Sequence, residues 1–292
     1  MILSMTGYGA AEGVLKDKTI RVEIKSLNSK YTDIRVRIPF DASAYEIELR
    51  KRIQQQVLRG KIEYTLHLSE EHVADLYKIN QTLLQKYFDE LRPFIERNRL
   101  STQGLLASLV TLPETVQQTE LELSNEEWQS ILDVTDHALE ALRKYREDEG
   151  AAMEAFLRSC LKNMHRALVE IDHYEDERIE KIRKRLHEAF SKEVPPDIVD
   201  YQRFHQELIY YIEKLDVSEE KSRLAHHLQY FEGVLDDDST LQKGKKLGFI
   251  AQEMGREINT LGAKASHEVI QKLVVELKDE LEKIKEQINN IV

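Results

Sequence analysis

From Trp128 to about Phe190 the chain holds one helical seam, through Ile131, Thr135, Leu139, Leu142, Met153, Phe156, Cys160, Met164, Ala167 and Ile171. Helices that long need partners, so they are expected to pack on one another, as a hairpin or between subunits. Ser124-Asn125-Glu126-Glu127 has the residue order of a helix N-terminus, and Pro195-Pro196 ends the pattern. The seam turns charged at Tyr145-Arg146-Glu147-Asp148-Glu149-Gly150. A kink, buried ion pairs or a polar site facing a cavity would each account for that.

Before residue 70 the periodicity is mostly that of strands. Ile20-Arg21-Val22-Glu23-Ile24-Lys25 and Ile34-Arg35-Val36-Arg37-Ile38 alternate with period two and are expected to be a hairpin or an adjacent pair. Tyr45 to Leu58 has helical spacing, and Ile62 to Leu68 returns to strand. Beyond Glu70 strand signals nearly vanish, and Ala74 to Asn98 reads as a helix. The expected fold class is α+β: a small, mainly antiparallel N-terminal sheet domain with one helix, followed by a long, largely helical body. The expected divisions are a β-rich domain at 1–70, a long-helix region at 71–196 and a C-terminal helical domain at 197–292. Arg21, Glu23, Lys25, Arg35 and Arg37 would share one sheet face, with Arg59 and Lys61 on a loop beside it. That face is either solvated or a phosphate-tracking surface.

The stretch Gly244 to Ser266 is too polar for a core helix, yet its polar groups are ordered. At about 100° per residue, Glu253, Arg256, Glu257, Thr260 and Lys264 form one stripe, beside Ile250, Met254, Ile258 and Leu261. Gly248, Gly255 and Gly262 recur every seven residues on a third face, each at about 1 kcal/mol cost against Ala. A close-packed second helix or a nucleic-acid backbone would account for them. The stripe itself reads either as a solvated face with i,i+4 pairs or as a site. Another helical face carries Glu220, Arg223, His227 and Tyr230, with His226 expected to point elsewhere. An ion-pair row edging a core of Leu224, Leu228 and Phe231 would explain it as well as a site would.

The net charge of −11 is uneven: residues 1–69 hold 12 Lys and Arg against 8 Asp and Glu, the remainder 30 against 45. A generally basic, DNA-coating protein is excluded, whereas a local nucleic-acid site is not. No apolar run approaches a membrane span and the start lacks a signal-type h-region, so a cytoplasmic protein is expected. Cys160 is the only cysteine and is expected to pack rather than react. P-loop, Gly-x-Gly-x-x-Gly, His-Glu-x-x-His and Gly-x-Ser-x-Gly motifs are absent from the sequence.

Several blocks, in order along the chain, resemble the YicC family: Ser4-Met5-Thr6-Gly7-Tyr8-Gly9, Ser26-Leu27-Asn28-Ser29-Lys30, Arg59-Gly60-Lys61 and Arg146-Glu147-x-Glu149-Gly150. Arg223-Leu224-x-x-His227-Leu228-x-x-Phe231 and Gln252-Glu253-Met254-x-Arg256-Glu257-x-Asn259-Thr260-x-x-x-Lys264 complete the match. The resemblance implies a bacterial endoribonuclease acting on single-stranded RNA with a divalent cation, Mg²⁺ or Mn²⁺. It further implies a homo-oligomer, expected to be a hexamer, with other RNA-decay proteins as further partners. Gly248 stands where the family usually has aspartate, Gly255 where asparagine is common and Ala263 where serine is usual, so no role for those side chains is carried over.

On that footing Glu253 and Glu257 are the expected metal ligands, and with Lys264 and His227 the expected catalytic groups. Imidazole is the side chain suited to proton transfer near neutral pH. Lys25, Lys30, Arg35, Arg37, Arg59, Lys61, Arg223, Arg256, Asn259 and Thr260 are the expected RNA contacts. Asn259 lies off the stripe in an ideal helix. The alternatives are an RNA-binding chaperone or adaptor without chemistry of its own, and a helical scaffold.

Overall fold

A computed structural model of the chain describes residues 2–15, 18–29, 31–40, 42–57, 59–69, 77–118, 123–193, 201–237 and 242–292. Lys30, Pro195-Pro196 and the start of the helix expected at Ala74 lie outside the described residues. Two compact units result, Thr6–Tyr145 on the one hand and Met1–Met5 with Arg146–Val292 on the other.

The first unit begins with β1 (Gly7–Leu15), β2 (Lys18–Leu27), β3 (Asp33–Arg37), α1 (Ser43–Gln56) and β4 (Lys61–Leu68). The sheet order is β1-β2-β4-β3, antiparallel except for the parallel β3–β4 pair. The expected pairing of Ile20–Lys25 with Ile34–Ile38 is therefore corrected, because β4 lies between them. The reason is α1: a helical crossover returns the chain parallel to the strand it left and beside it, which a tight turn cannot do. Alternation holds as expected. Ile20, Val22 and Ile24 of β2 and Ile62, Tyr64 and Leu66 of β4 are buried with Leu49 and Ile53 of α1. Burial pushes the Tyr64 hydroxyl up to about 12, and that hydroxyl lies 3.1 Å from Thr135 Oγ1.

After β4 come β5 (Tyr77–Ile79), α2 (Gln81–Asn98), α3 (Leu105–Val110), β6 (Val116–Gln118) and α4 (Asn125–His173). The helix expected from Ala74 starts later, because Tyr77–Ile79 pairs antiparallel with Val116–Gln118 and the Asn80 side chain accepts from Leu83 N at 3.0 Å as an N-cap. The N-terminus of α4 is a reciprocal capping box: Ser124 N donates to Glu127 Oε2 at 2.8 Å and Glu127 N to Ser124 Oγ at 3.3 Å. Trp128, Ile131, Leu132, Leu139 and Leu142 of α4 complete the core of this unit.

The second unit takes the rest of α4, then α5 (Glu175–Glu193), α6 (Tyr201–Lys214), α7 (Ser218–Asp236), α8 (Lys243–Lys264) and α9 (Glu268–Ile288). The seam expected to run on to Phe190 is broken at Tyr174. Cys160 is buried in the core, where burial, with Glu280 beside it, pushes the thiol up to about 11. The charged interruption of the seam is a docking place for the chain's own start, and α4 is continuous through it. Arg146 is buried and its Nε donates to Ser4 O at 2.5 Å, while Ser4 N donates to Arg146 O at 3.1 Å. A methyl at position 150 would overlap the Ile2 carbonyl. Met5 N donates to Asn290 O at 2.7 Å and Val292 N to Leu3 O at 3.1 Å, so the opening residues are held from both sides.

α8 packs against both α7 and α9. A methyl at Gly262 would stand 2.9 Å from Val274 Cγ1, one at Gly255 3.3 Å from Leu281 Cδ2 and one at Gly248 3.9 Å from Ile288 Cγ2. The glycine heptad thus meets a heptad of apolar side chains on α9, and helix packing explains it without nucleic acid.

Candidate active site

α7 and α8 run antiparallel, and a ladder of side-chain contacts fixes their register. Lys243 Nζ donates to Leu235 O at 3.0 Å, Lys246 Nζ stands 5.3 Å from the Tyr230 ring centre, Arg223 Nη1 is 3.9 Å from Glu257 Oε1, and Lys264 Nζ is 2.7 Å from Glu220 Oε1. The apolar faces of the two helices, with Leu224, Leu228 and Phe231 opposite Leu247, Ile250, Met254 and Ile258, are buried together. Their polar edges are left side by side.

Between those edges lies a recess of about 510 Å³ lined by Ser222, Arg223, His226, His227, Glu253 and Glu257. The Glu257 side chain is only 13% exposed, and its one described ionic partner, Arg223, stays at 3.9 Å. Its carboxylate is desolvated but weakly committed. Glu253 accepts from Arg256 Nη1 at 2.7 Å, and Arg223 also pairs with Glu219. The two imidazoles meet edge to face with centres 6.2 Å apart.

Four expected residues are therefore brought together: Glu253, Glu257, His227 and Arg223. Lys264 does not line the recess; it neutralises buried Glu220, whose second oxygen has no hydrogen-bond partner among the described residues. Arg256 is 74% exposed, Asn259 is exposed, and the Thr260 hydroxyl donates to Arg256 O at 3.1 Å. The expectation that His226 points elsewhere is corrected. Successive residues diverge by about 100° about the axis, but a recess at the edge between two helices is wide enough to take both imidazoles. Ser222 was missed for want of any motif.

Lys25, Arg35, Arg37, Arg59 and Lys61 belong to the other unit. Lys61 sits 2.9 Å from Glu63, Lys25 3.9 Å from Glu23 and Arg35 3.5 Å from Asp33, while Arg37 is exposed and Arg59 Nε donates to Ser29 O at 3.1 Å. Lys61 holds the Glu63 carboxyl below its usual range. Carboxylates thus punctuate the cations on this face.

Among the described residues no group of three or more His, Cys, Asp and Glu side chains is arranged to hold a metal ion. Glu253 and Glu257, one turn apart, still fit Mg²⁺ or Mn²⁺ bound the way Mg²⁺ usually is, through one or two carboxylates with water and substrate phosphate completing the shell. They do not fit a tightly caged structural ion.

Residues 2–155 match the family described as Endoribonuclease YicC-like, N-terminal region, and residues 171–292 match Endoribonuclease YicC-like, C-terminal. The chain belongs to the YicC-like endoribonuclease family. Across the full length of both chains it is 32% identical to a protein of Clostridioides difficile and 30% identical to one of Haemophilus influenzae, each named "Probable endoribonuclease YicC". Within this YicC-like chain the motif blocks divide by task. Those at Ser4–Gly9 and Arg146–Gly150 serve packing, since a methyl at Gly9 would overlap the Ala138 carbonyl and Gly150 admits Ile2. The blocks on α7 and α8 supply the recess. No described helix is long and apolar enough to cross a membrane.

Proposed function

We propose that this chain is an endoribonuclease that cleaves single-stranded RNA at the α7–α8 recess, with Glu253 and Glu257 holding a divalent cation. The observation that carries the reading is the convergence of two carboxylates, two imidazoles and a guanidinium on one recess. A bound Mg²⁺ or Mn²⁺ would supply charge neutralisation at the scissile phosphate. Arg223 binds a non-bridging phosphate oxygen, for which a guanidinium is suited. Either imidazole, His226 or His227, takes or gives the proton at the attacking or leaving oxygen. In the other unit, Lys25, Arg35 and Arg37, with Arg59 and Lys61, bind RNA phosphates on the sheet's own charged face.

The experiment is cleavage of a labelled single-stranded RNA by purified protein with Mg²⁺ or Mn²⁺. Glu253→Gln and Glu257→Gln should each lower the rate by 10²-fold or more, on the order of one lost electrostatic contact in a nuclease site. Full activity in both variants refutes the reading. A 2',3'-cyclic phosphate product would assign attack to the ribose hydroxyl, and a 5'-phosphate would assign it to water. The Glu253–Arg256 ion pair favours one rival, an adaptor that binds RNA uncut, and binding without cleavage under every ion tested would select it.

The proposal extends to assembly as a homo-oligomer, with six copies expected from the family resemblance, working in the cytoplasm beside other RNA-decay proteins. Supporting assembly, α2 buries none of its residues and leaves Leu91 and Phe94 exposed. Light scattering of the purified protein gives the copy number.

A further inference from the structure

On the reading that the α7–α8 groove takes RNA, we infer that Tyr230 and Phe249 form a base-stacking subsite beside the recess, which restricts the groove to unpaired nucleotides. Both residues lie in the stripes that carry the recess side chains. Tyr230 shares a face with Arg223 and His226 on α7, and Phe249 shares one with Glu253 on α8. The antiparallel ladder sets their level: Arg223 meets Glu257, the histidines and Glu253 line the same recess, and Tyr230 and Phe249 each lie one turn further on, toward the same end of the helix pair. Lys246, just under one turn before Phe249, reaches the Tyr230 ring from α8, at 5.3 Å.

Neither ring belongs to the core. Tyr230 is 48% exposed and Phe249 59%, whereas the apolar residues beside them, Phe231 and Ile250, are buried. Two aromatic rings flanking a cleft that already holds guanidinium and imidazole groups offer a nucleotide chain what it has to offer in return. Phosphates meet Arg223 and Lys246, and bases meet the rings. A base presents an open π-face only when it is unstacked, so this subsite selects single strands and tolerates any base. Lys246 stabilises the Tyr230 ring from one side as a cation–π partner and bears charge for the adjoining phosphate.

The test is fluorescence anisotropy in EDTA, so that binding is read without cleavage, with a short labelled single-stranded RNA, its duplex, and a single strand of equal length with abasic positions. Tyr230→Ala and Phe249→Ala should each weaken single-strand binding by about 5- to 150-fold, the range of one lost base–aromatic stack. Phe249→Leu should weaken it as much as Ala, since an apolar side chain without a ring does not stack, while Tyr230→Phe and Phe249→Tyr should stay within about twofold of wild type. The abasic strand should bind all of these proteins alike. If the Ala variants match wild type on the single strand, the subsite is refuted and the cleavage reading stands. If wild type binds no RNA, both fall. If the variants change the mass of the particle and not its affinity, the two rings are contacts between copies and the subsite is likewise refuted.

Discussion

The three glycines of α8 make one graded experiment. Replacing Gly by Ala in a helix interior stabilises by about 1 kcal/mol where space exists. At Gly248 the new methyl would meet Ile288 Cγ2 at 3.9 Å, an ordinary contact, so Gly248→Ala should stabilise by about 0.5–1 kcal/mol. At Gly255 the neighbour is Leu281 Cδ2 at 3.3 Å, the end of a side chain that yields by a few tenths of an ångström, and the two effects should nearly cancel. At Gly262 the methyl would stand 2.9 Å from Val274 Cγ1. Valine in a helix has essentially one χ1 choice, so α8 and α9 must separate, and overpacking costs about 1–3 kcal/mol against the propensity gain. Gly262→Ala should therefore lose up to about 2 kcal/mol. Urea unfolding of the three variants, followed by helical circular dichroism, reads the order directly. Val274→Ala placed in the Gly262→Ala chain should recover part of the loss, a coupling that distant sites do not have. Gly262→Ala as stable as Gly248→Ala would refute the packing argument.

Two further substitutions test contacts that the motif blocks contain. Arg146→Met removes the donor to Ser4 O while keeping an unbranched apolar stem, and should cost about 1–3 kcal/mol and speed amide exchange at Ser4 and Met5. Unchanged exchange at both amides would show that the opening residues are held without the Arg146 side chain. Lys264→Met strands the buried Glu220 carboxylate and should cost about 3 kcal/mol, largely recovered when Glu220→Gln is added. A stable double variant that still cuts RNA normally would give Lys264 a structural role alone; a stable but inactive one would return it to the chemistry.

Helical periodicity made the stripes on α7 and α8 legible, because 100° per residue decides which side chains share a face. It could not say that those two stripes border one recess. That follows from register, set by the Tyr230–Lys246 and Glu220–Lys264 contacts, for which there is no local signal. The same gap misplaced the strands. Alternation marks β2, β3 and β4 equally, and only the crossover through α1 tells β3 to lie beside β4 and not β2. At Arg146 the local pattern marks an interruption but not its cause, because the partner, Ser4, is 142 residues away in sequence. The glycine heptad was the converse case. A repeat of seven on α8 already required a close neighbour, and Val274, Leu281 and Ile288 repeat at the same interval on α9.

The packing of α8 on α9 also bears on the chemistry, because the glycine face lies nearly opposite the polar stripe around α8. Whatever pushes α8 away from α9 shifts Glu253 and Glu257 with it and so alters the recess they line. Displacement of a reacting group by about 1 Å is enough to cost on the order of 10²-fold in rate. On the reading that the recess cuts RNA, Gly262→Ala should therefore lose more activity than its loss of stability accounts for, whereas Gly248→Ala should gain stability at unchanged rate. Restoration of the rate by Val274→Ala would tie the heptad to the placement of the carboxylates. A rate that stays low while stability returns would mean that α9 sets the fold of this unit and nothing in its chemistry.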